Sequence, residues 1–168
     1  STQVPVACHR RRERGYARAD ARYLVQMLET QVEEALDGAN AREGRILVAV
    51  SGGRDSMVLL ELLNRLAPSR HLELIVGHIN HGLRGDASAG DQAYVRRVAE
   101  KSRIEFRVKN VSPKEAQRGH NSRSRPSFEE AARNLRRSAL VEEAEASGSR
   151  WIATGHHAGD QAETVLMR

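Results

Sequence analysis

One segment, residues 46–56, combines residue types that suit the binding of a phosphate group. It reads I-L-V-A-V-S-G-G-R-D-S: an apolar run of buried-strand type, a hydroxyl and two glycines, then the start of a helical pattern. Gly52 and Gly53 lack a Cβ, so the backbone can turn sharply and approach a ligand closely. The N–H groups of the loop and of the new helix converge and favour an anion. Ser51 and Ser56 add hydroxyl donors, so we expect a bound phosphate.

The spacing of this loop separates it from two other common phosphate-binding loops. It lacks the Lys of G-x-x-x-x-G-K-[ST], and it does not match G-x-G-x-x-G. The pattern S-G-G-x-D-S after an apolar strand resembles instead the pyrophosphate loop of the ATP pyrophosphatases. That resemblance implies cleavage of ATP between its α- and β-phosphates, with the departing pyrophosphate held in the loop. The alternative is a tight glycine turn without a ligand, which the strand before and the helix after disfavour.

The elements around the loop predict an α/β fold. Strand-like and helical stretches alternate, which predicts a doubly wound parallel sheet with right-handed crossovers and helices on both faces. The predicted strands are residues 46–50, 72–79, 104–108 and 151–154. The predicted helices are residues 19–37, 55–66, 88–102, 127–147 and one that starts near Ala158.

Composition narrows the class of protein. A chain of 168 residues, 39% hydrophobic and 29% charged, is typical of one globular domain with a real core. The net charge of +5 favours a polyanionic partner. The single cysteine, Cys8, excludes an intramolecular disulfide. No apolar run is long enough to span a membrane, so we expect a cytoplasmic protein.

We expect three segments along the chain. Residues 1–18 are Arg-rich and predict a disordered basic arm, either solvated or bound to nucleic acid. Residues 19–44 predict a helix and a linker, and residues 45–168 the catalytic domain. The helical pattern is still running at Arg168, so we expect a fragment. The first predicted helix carries one apolar stripe: Leu24, Met27, Leu28, Val32, Ala35 and Leu36.

Polar clusters follow three of the predicted strands, at the edge where ligands bind in such sheets. The first is the loop at residues 51–56. The second, H-I-N-H-G-L-R-G, occupies residues 78–85, and the third, T-G-H-H-A-G-D-Q-A-E-T, occupies residues 154–164. The second and third contain His78, His81, His156 and His157. Their spacing does not favour zinc, because no H-E-x-x-H pattern and no cysteine partner accompanies them.

Carboxylates in these clusters suit a magnesium ion. ATP requires Mg²⁺, and Mg²⁺ prefers hard oxygen ligands. Asp160 and Glu163 are spaced i, i+3, so they share one side of a helix's first turn. We expect Asp55 and Asp160 to bind the metal, with Glu163 as the next candidate. The alternative for the pair in the last helix is that acids there simply complement the helix dipole.

Four ordered motifs make the resemblance narrower. After S-G-G-R-D-S come H-I-N-H-G-L-R-G, S-F-E-E-A-A-R-N-L-R and A-T-G-H-H-A-G-D-Q-A-E-T-V-L-M-R, which together resemble the tRNA(Ile)-lysidine synthetase family. The resemblance covers residues 45–168. It implies a ligase that forms a C–N bond: ATP and L-lysine convert the wobble cytidine of an isoleucine tRNA with a CAU anticodon to lysidine. AMP and pyrophosphate are released.

This resemblance implies roles for individual residues. Pyrophosphate and magnesium would be held by Ser51, Gly52, Gly53, Asp55 and Ser56. The part of the site that holds ATP and the target base would be lined by His78, Asn80, His81 and Arg84. Substrate would be approached by Glu130 and Arg133, and the site closed by His156, Asp160, Gln161 and Glu163. The expected catalytic residues among these are Asp55, Asp160, Glu163 and His156.

Other features leave alternatives open. The Ser-, Arg- and Pro-rich stretch at residues 110–126 predicts a long loop, in which Arg123 and Arg125 either contact tRNA phosphates or are simply solvated. Gly159 stands where the family commonly has a second acid, and Arg137 where it has an aromatic residue. Another ATP pyrophosphatase, such as a tRNA thiolase or an amide synthetase, or a non-catalytic nucleotide-binding remnant therefore stay as alternatives. Thiolases of this type rely on cysteines, and Cys8 alone argues against one.

Overall fold

Helices alternate with parallel strands in the computed structural model, which describes residues 9–80, 86–112 and 128–155. The helices are α1 (His9–Gly38), α2 (Arg54–Leu66), α3 (Asp86–Lys101) and α4 (Phe128–Ser147), with a 3₁₀ turn at Pro68–Arg70. The strands are β1 (Gly44–Ala49), β2 (Leu72–Asn80), β3 (Glu105–Asn110) and β4 (Trp151–Thr154). These bounds lie within a few residues of those predicted, except at the start of α1.

The four strands form one parallel sheet in the order β3-β2-β1-β4. Leu47 in β1 pairs with Ile75 in β2 on one side and with Ile152 in β4 on the other. The chain adds β2 and β3 on one side of β1 and then returns to add β4 on the other side. The order of strands therefore reverses between β1 and β4, and the crevice at such a reversal is where doubly wound sheets bind ligands.

Helices cover both faces of the sheet, which confirms the predicted fold class. Ile46, Val48 and Val50 pack with residues of α1, α2 and α3, whereas Leu47 and Ala49 pack with residues of α4. These five side chains are at most 2% exposed. Because both faces of the sheet are buried here, residues 46–50 have no polar positions to alternate with, which is why they read as an unbroken apolar run.

The helix α1 begins at His9, where the sequence predicted a disordered arm up to residue 18. The helix His9–Gly38 contains no proline and is rich in Arg and Ala, which are good helix formers. High charge predicts exposure to solvent but does not oppose helical backbone. The predicted segment boundaries at residues 19 and 45 stay predictions. In the described part of the chain, no helix is long and apolar enough to cross a membrane.

Only the C-terminal part of the predicted apolar stripe of α1 is covered. Leu36 is 2% exposed and Val32 packs against the core, but Leu24, Met27 and Leu28 are 53%, 41% and 38% exposed. The reason is length: α1 has 30 residues and α2 has 13, about 45 Å against about 20 Å at 1.5 Å per residue. Most of α1 therefore has no part of α2 beside it.

Two ion pairs fasten the C-terminal part of α1 to the elements after β1. Asp37 Oδ1 lies 2.6 Å from Arg70 Nη1, and Glu29 Oε1 lies 3.2 Å from Arg65 Nη1. The hydrogen bond from Arg70 holds the pKa of Asp37 below its usual range, with a further contribution from the charge of Arg42. Part of the free energy that holds α1 against the rest of the fold therefore depends on the ionised carboxylate of Asp37.

We expect Asp37→Asn to reduce the acid sensitivity of the fold. A carboxyl whose folded pKa is depressed stabilises the fold fully above its unfolded pKa, and this contribution disappears as the pH falls below about 4. The variant should therefore lose less stability than the unsubstituted chain between pH 5 and acid unfolding, as measured by urea titration. Glu34→Gln removes an exposed charge from the same helix and serves as control. Equal acid slopes for Asp37→Asn and the unsubstituted chain would refute this prediction.

Candidate phosphate-binding site

The loop between β1 and α2 presents unpaired backbone N–H groups. Gly52 has a φ of +92°, a left-handed conformation that favours glycine. Gly53 caps α2 with extended backbone and no side-chain cap. Within residues 9–80, 86–112 and 128–155, the N–H groups of Gly52, Arg54 and Asp55 have no acceptor. Donors of this kind at a helix N-terminus form an anion-binding site.

Two serine hydroxyls hold the loop in this shape. Ser56 is 4% exposed, and its Oγ donates to the carbonyl of Gly53 at 2.8 Å and accepts from the N–H of Ser51 at 3.2 Å. Because that donation uses the hydroxyl proton of Ser56, Ser51 Oγ is the donor in the 3.2 Å contact between the two hydroxyls. Ser51 Oγ also accepts from the N–H of Gly53 at 3.3 Å. The predicted donation from both hydroxyls to phosphate stays a prediction; here they close the loop.

The predicted nucleotide residues on β2 support the loop from one side. His78 is 4% exposed, and its Nδ1 lies 2.8 Å from the carbonyl oxygen of Val50, the residue before the loop. A carbonyl oxygen only accepts, so Nδ1 carries the proton. The ring stacks on Phe106 with a centroid distance of 6.4 Å. Asn80 Nδ2 donates to Gln92 Oε1 in α3 at 3.0 Å. Contact of His78 and Asn80 with ATP stays a prediction.

The end of β4 touches the start of α2. A Cβ placed on Gly155 would lie 3.1 Å from the carbonyl oxygen of Asp55 and 3.2 Å from the Cα of Ser56. The first residue after β4 therefore has to be small for the phosphate loop to sit where it does. This contact joins the first and third predicted polar clusters across the crevice between β1 and β4.

Sequence reasoning missed Gly155 and the α3 residues beside the loop. Gln92 bonds to Asn80, and a Cβ on Gly52 would lie 3.4 Å from the Cβ of Asp91. Polar residues near the start of a helix are normally read as a solvated face, so neither α3 residue carried a signal. Gly155 lies inside a motif, but its importance is steric and appears only in three dimensions.

Some of the remaining predicted site residues are described and exposed, and the others lie outside the described residues. Asp55 is exposed in the first turn of α2, and Glu130 and Arg133 are exposed near the N-terminal end of α4. The others lie outside the described residues: His81, Arg84, Arg123, Arg125, His156, Asp160, Gln161 and Glu163. Among the described residues, no group of three or more His, Cys, Asp or Glu side chains suits a metal ion. Magnesium binding by Asp55 and Asp160 stays a prediction.

The sheet order and the loop at the start of α2 define a doubly wound α/β domain with a candidate phosphate-binding loop. The PP-loop domain family matches residues 24–168, and the chain belongs to that family. The match begins within α1 and includes the Ser51–Ser56 loop.

Several similar curated proteins are named tRNA(Ile)-lysidine synthase. The one from Symbiobacterium thermophilum is 43% identical over 124 residues, which are 74% of this chain and 25% of that protein. The one from Geobacter sulfurreducens has the same identity and the same coverage. The one from Chlorobaculum tepidum is 42% identical over 122 residues, 73% of this chain and 36% of that protein. The chain thus spans about a quarter to a third of the length of these relatives.

A solved structure shares the fold. The U34-tRNA thiolase NcsA from Methanococcus maripaludis, solved with its [4Fe-4S] cluster, has a TM-score of 0.56 and 22% sequence identity. The likeness covers 71% of this chain and 40% of that chain. At this identity the likeness shows the architecture alone.

We expect Ser56→Ala to destabilise the protein by about 1–3 kcal/mol, because the carbonyl of Gly53 and the N–H of Ser51 both lose a partner. Chemical denaturation followed by circular dichroism measures the change. Ser69→Ala is the matched control: its exposed hydroxyl also donates to a carbonyl, that of Leu66 at 2.9 Å, but far from the loop. The control should change stability by less than about 0.5 kcal/mol. Similar effects for the two variants would contradict the role given to Ser56.

We expect Gly155→Ala and Gly90→Ala to change stability in opposite directions. The new methyl at position 155 would meet the backbone of Asp55, which cannot move without displacing the loop. At position 90, inside α3, a Cβ meets nothing within 4 Å, so alanine should stabilise the helix by about 0.5–1 kcal/mol. Thermal unfolding of both variants tests this, and a Gly155→Ala protein as stable as the unsubstituted chain would show that the crevice is looser than described.

Proposed function

We propose that this chain is the ATP-binding part of an enzyme that modifies tRNA, and that the modification is lysidine formation. In this reaction L-lysine is joined to the wobble cytidine of an isoleucine tRNA with a CAU anticodon, and ATP is split to AMP and pyrophosphate. The observation that carries the proposal is the Ser51–Ser56 loop, whose N–H groups are shaped for a phosphate at the crevice beside β1. The similarity to proteins named tRNA(Ile)-lysidine synthase supports the choice of reaction.

The loop suits the departure of pyrophosphate. When the bond between the α-phosphorus and the bridging oxygen breaks, negative charge grows on the two leaving phosphates. The N–H groups of Gly52, Arg54 and Asp55 are already oriented by the closed loop, so they stabilise this charge without having to reorganise. Asp55, exposed beside them, and Asp160 are the ligands we propose for Mg²⁺, which when bound offsets phosphate charge.

The chemistry then runs in two steps. The C2 carbonyl oxygen of the cytidine attacks the α-phosphorus of ATP and pyrophosphate leaves, giving an adenylated base. The lysine amine, after losing a proton to a nearby carboxylate or imidazole, attacks C2 and expels AMP. A base in an anticodon loop is single-stranded, so presenting it to the site costs little. We propose that His156 and Glu163 close the site during these steps.

Residues around the crevice are proposed to contact the substrates. The residues proposed to contact ATP and the target base are His78, Asn80, His81 and Arg84. The residues proposed to contact tRNA and lysine are Glu130, Arg133 and Gln161. Arg123 and Arg125 are proposed phosphate contacts, consistent with the net charge of +5. A thiolase is less favoured, because the 168 residues hold only one cysteine, Cys8, whereas iron–sulfur clusters are held by several.

Pyrophosphate release from ATP tests the proposal. We expect the purified protein to release pyrophosphate only when both the isoleucine tRNA and L-lysine are present. Asp55→Asn should lower the rate by about 100-fold or more, because it removes a proposed metal ligand beside the leaving phosphates. Glu100→Gln, an exposed carboxylate at the far end of α3, should leave the rate unchanged.

Other outcomes would point elsewhere. Release with a different acceptor in place of lysine would indicate another ATP pyrophosphatase. Binding of ATP with no release under any combination of substrates would contradict catalysis by this chain and indicate a nucleotide-binding protein.

A further inference from the structure

One arginine on α4, Arg136, is partly buried and has no partner among residues 9–80, 86–112 and 128–155. Among the described residues, no carboxylate lies within ion-pair distance of its guanidinium and no acceptor receives a hydrogen bond from it. Burial lowers its pKa, and no neighbouring charge opposes that effect. A guanidinium nevertheless keeps its charge in proteins. Removing a charge from water without pairing it costs free energy, so this arrangement requires an explanation.

The other partly buried arginines among the described residues, Arg70 and Arg107, are both paired. Arg70 Nη1 lies 2.6 Å from Asp37, and Arg107 Nε lies 2.9 Å from Glu143. Hydrogen bonds to these carboxylates raise the pKa of both arginines, the opposite direction to Arg136. The fold therefore supplies acids where it buries a guanidinium for stability. At Arg136 the missing acceptor points to a ligand.

Arg136 projects toward the edge of the sheet that carries the phosphate loop. α4 connects the end of β3 to the start of β4, so it runs antiparallel to the strands and begins at their carboxyl edge. Leu140, one turn further along the same side of α4, packs with Leu47 and Ala49 of β1. Helical side chains tilt toward the N-terminus of their helix. The guanidinium of Arg136 is thus carried beyond Leu140 toward the carboxyl edge.

The depth of Arg136 follows from one contact at the opposite edge. Arg45 Nη1 donates to the carbonyl oxygen of Ser147 at 3.0 Å, so the end of α4 is level with the start of β1. From Ser147 back to Arg136 is about 16 Å at 1.5 Å per residue. From Arg45 forward to Val50 is also about 16 Å at 3.3 Å per residue. Arg136 therefore lies about level with the last residue before the Ser51–Ser56 loop.

We infer that Arg136 binds a phosphate oxygen of the nucleotide in the Ser51–Ser56 loop, from the face of the sheet that α4 covers. The planar guanidinium can donate two parallel N–H bonds to one phosphate, and the charge of that phosphate would offset its own. The loop and α2 would hold the nucleotide from one face and Arg136 from the other. This inference deepens the proposed function and rests on it, because it assumes that the loop binds ATP.

Stability and affinity measured on the same variants test this role. Arg136→Met keeps a long side chain without the charge. The dissociation constant for Mg-ATP, measured by isothermal titration calorimetry, should rise about ten- to a hundred-fold. The melting temperature without nucleotide should stay the same or increase, because an unpaired buried charge is removed. Arg136→Lys, which keeps the charge but not the planar fork, should bind with intermediate affinity.

The control is Arg97→Met, at an exposed position on α3, which should change neither quantity. Binding of AMP and of inorganic pyrophosphate to the same variants then shows which phosphate Arg136 contacts. Weakened AMP binding indicates the α-phosphate, and weakened pyrophosphate binding indicates the β- and γ-phosphates.

Two results would overturn the inference while leaving the proposed function intact. One is unchanged ATP affinity in Arg136→Met. The other is a lower melting temperature together with weaker binding, since that combination indicates a structural role for the side chain. Failure of the unsubstituted chain to bind ATP would instead contradict the proposed function, and with it the role of Arg136.

Discussion

The site depends on a constraint at the junction of β1 and α2: backbone N–H groups must stay unpaired and yet be held still. The hydroxyl of Ser56 meets this constraint by closing the loop onto Gly53 and Ser51. The side-chain hydrogen bonds of the loop stabilise its own conformation, and the N–H groups of Gly52, Arg54 and Asp55 remain available for a ligand. An anion then enters a preformed set of donors, which costs less than ordering a flexible loop around it.

The rest of the fold fixes where that loop lies. His78 bonds to the carbonyl before the loop, and Gly155 allows the end of β4 to approach the start of α2. Because β4 lies on the side of β1 opposite β2, the loop follows β1 at the point where the strand order reverses, which is where doubly wound sheets bind ligands. The two faces of the sheet carry different groups: α2 presents backbone dipoles, and α4 carries the partly buried guanidinium of Arg136.

Membership of the PP-loop domain family agrees with this architecture, and the similarity to proteins named tRNA(Ile)-lysidine synthase covers about three quarters of the chain. Those relatives are three to four times longer than the matched region, so their whole activity is a proposal for this chain. The N–H groups of the loop favour a phosphate whatever the relatives are named, whereas only the similarity to these relatives favours tRNA and lysine as substrates.

The amino-acid sequence determined the alternation of strands and helices, the parallel sheet and the position of the phosphate loop. These follow from local rules: residues 46–50 are all apolar because both faces of the sheet are buried there, and Gly52 is glycine because its φ is positive. Tertiary structure alone decided the use of particular side chains. The apolar residues of α1 predict burial, but Leu24 and Met27 are exposed because α2 is too short to cover them. The hydrogen bonds by which Ser56 closes the loop, and the contact of Gly155 with Asp55, appear only in three dimensions. The same holds for Arg136, which has no acid partner among the described residues. The periodicity of apolar residues indicates which side of a helix or strand is apolar. Ion pairs, steric contacts and the length of a neighbouring helix depend instead on residues far apart in the chain.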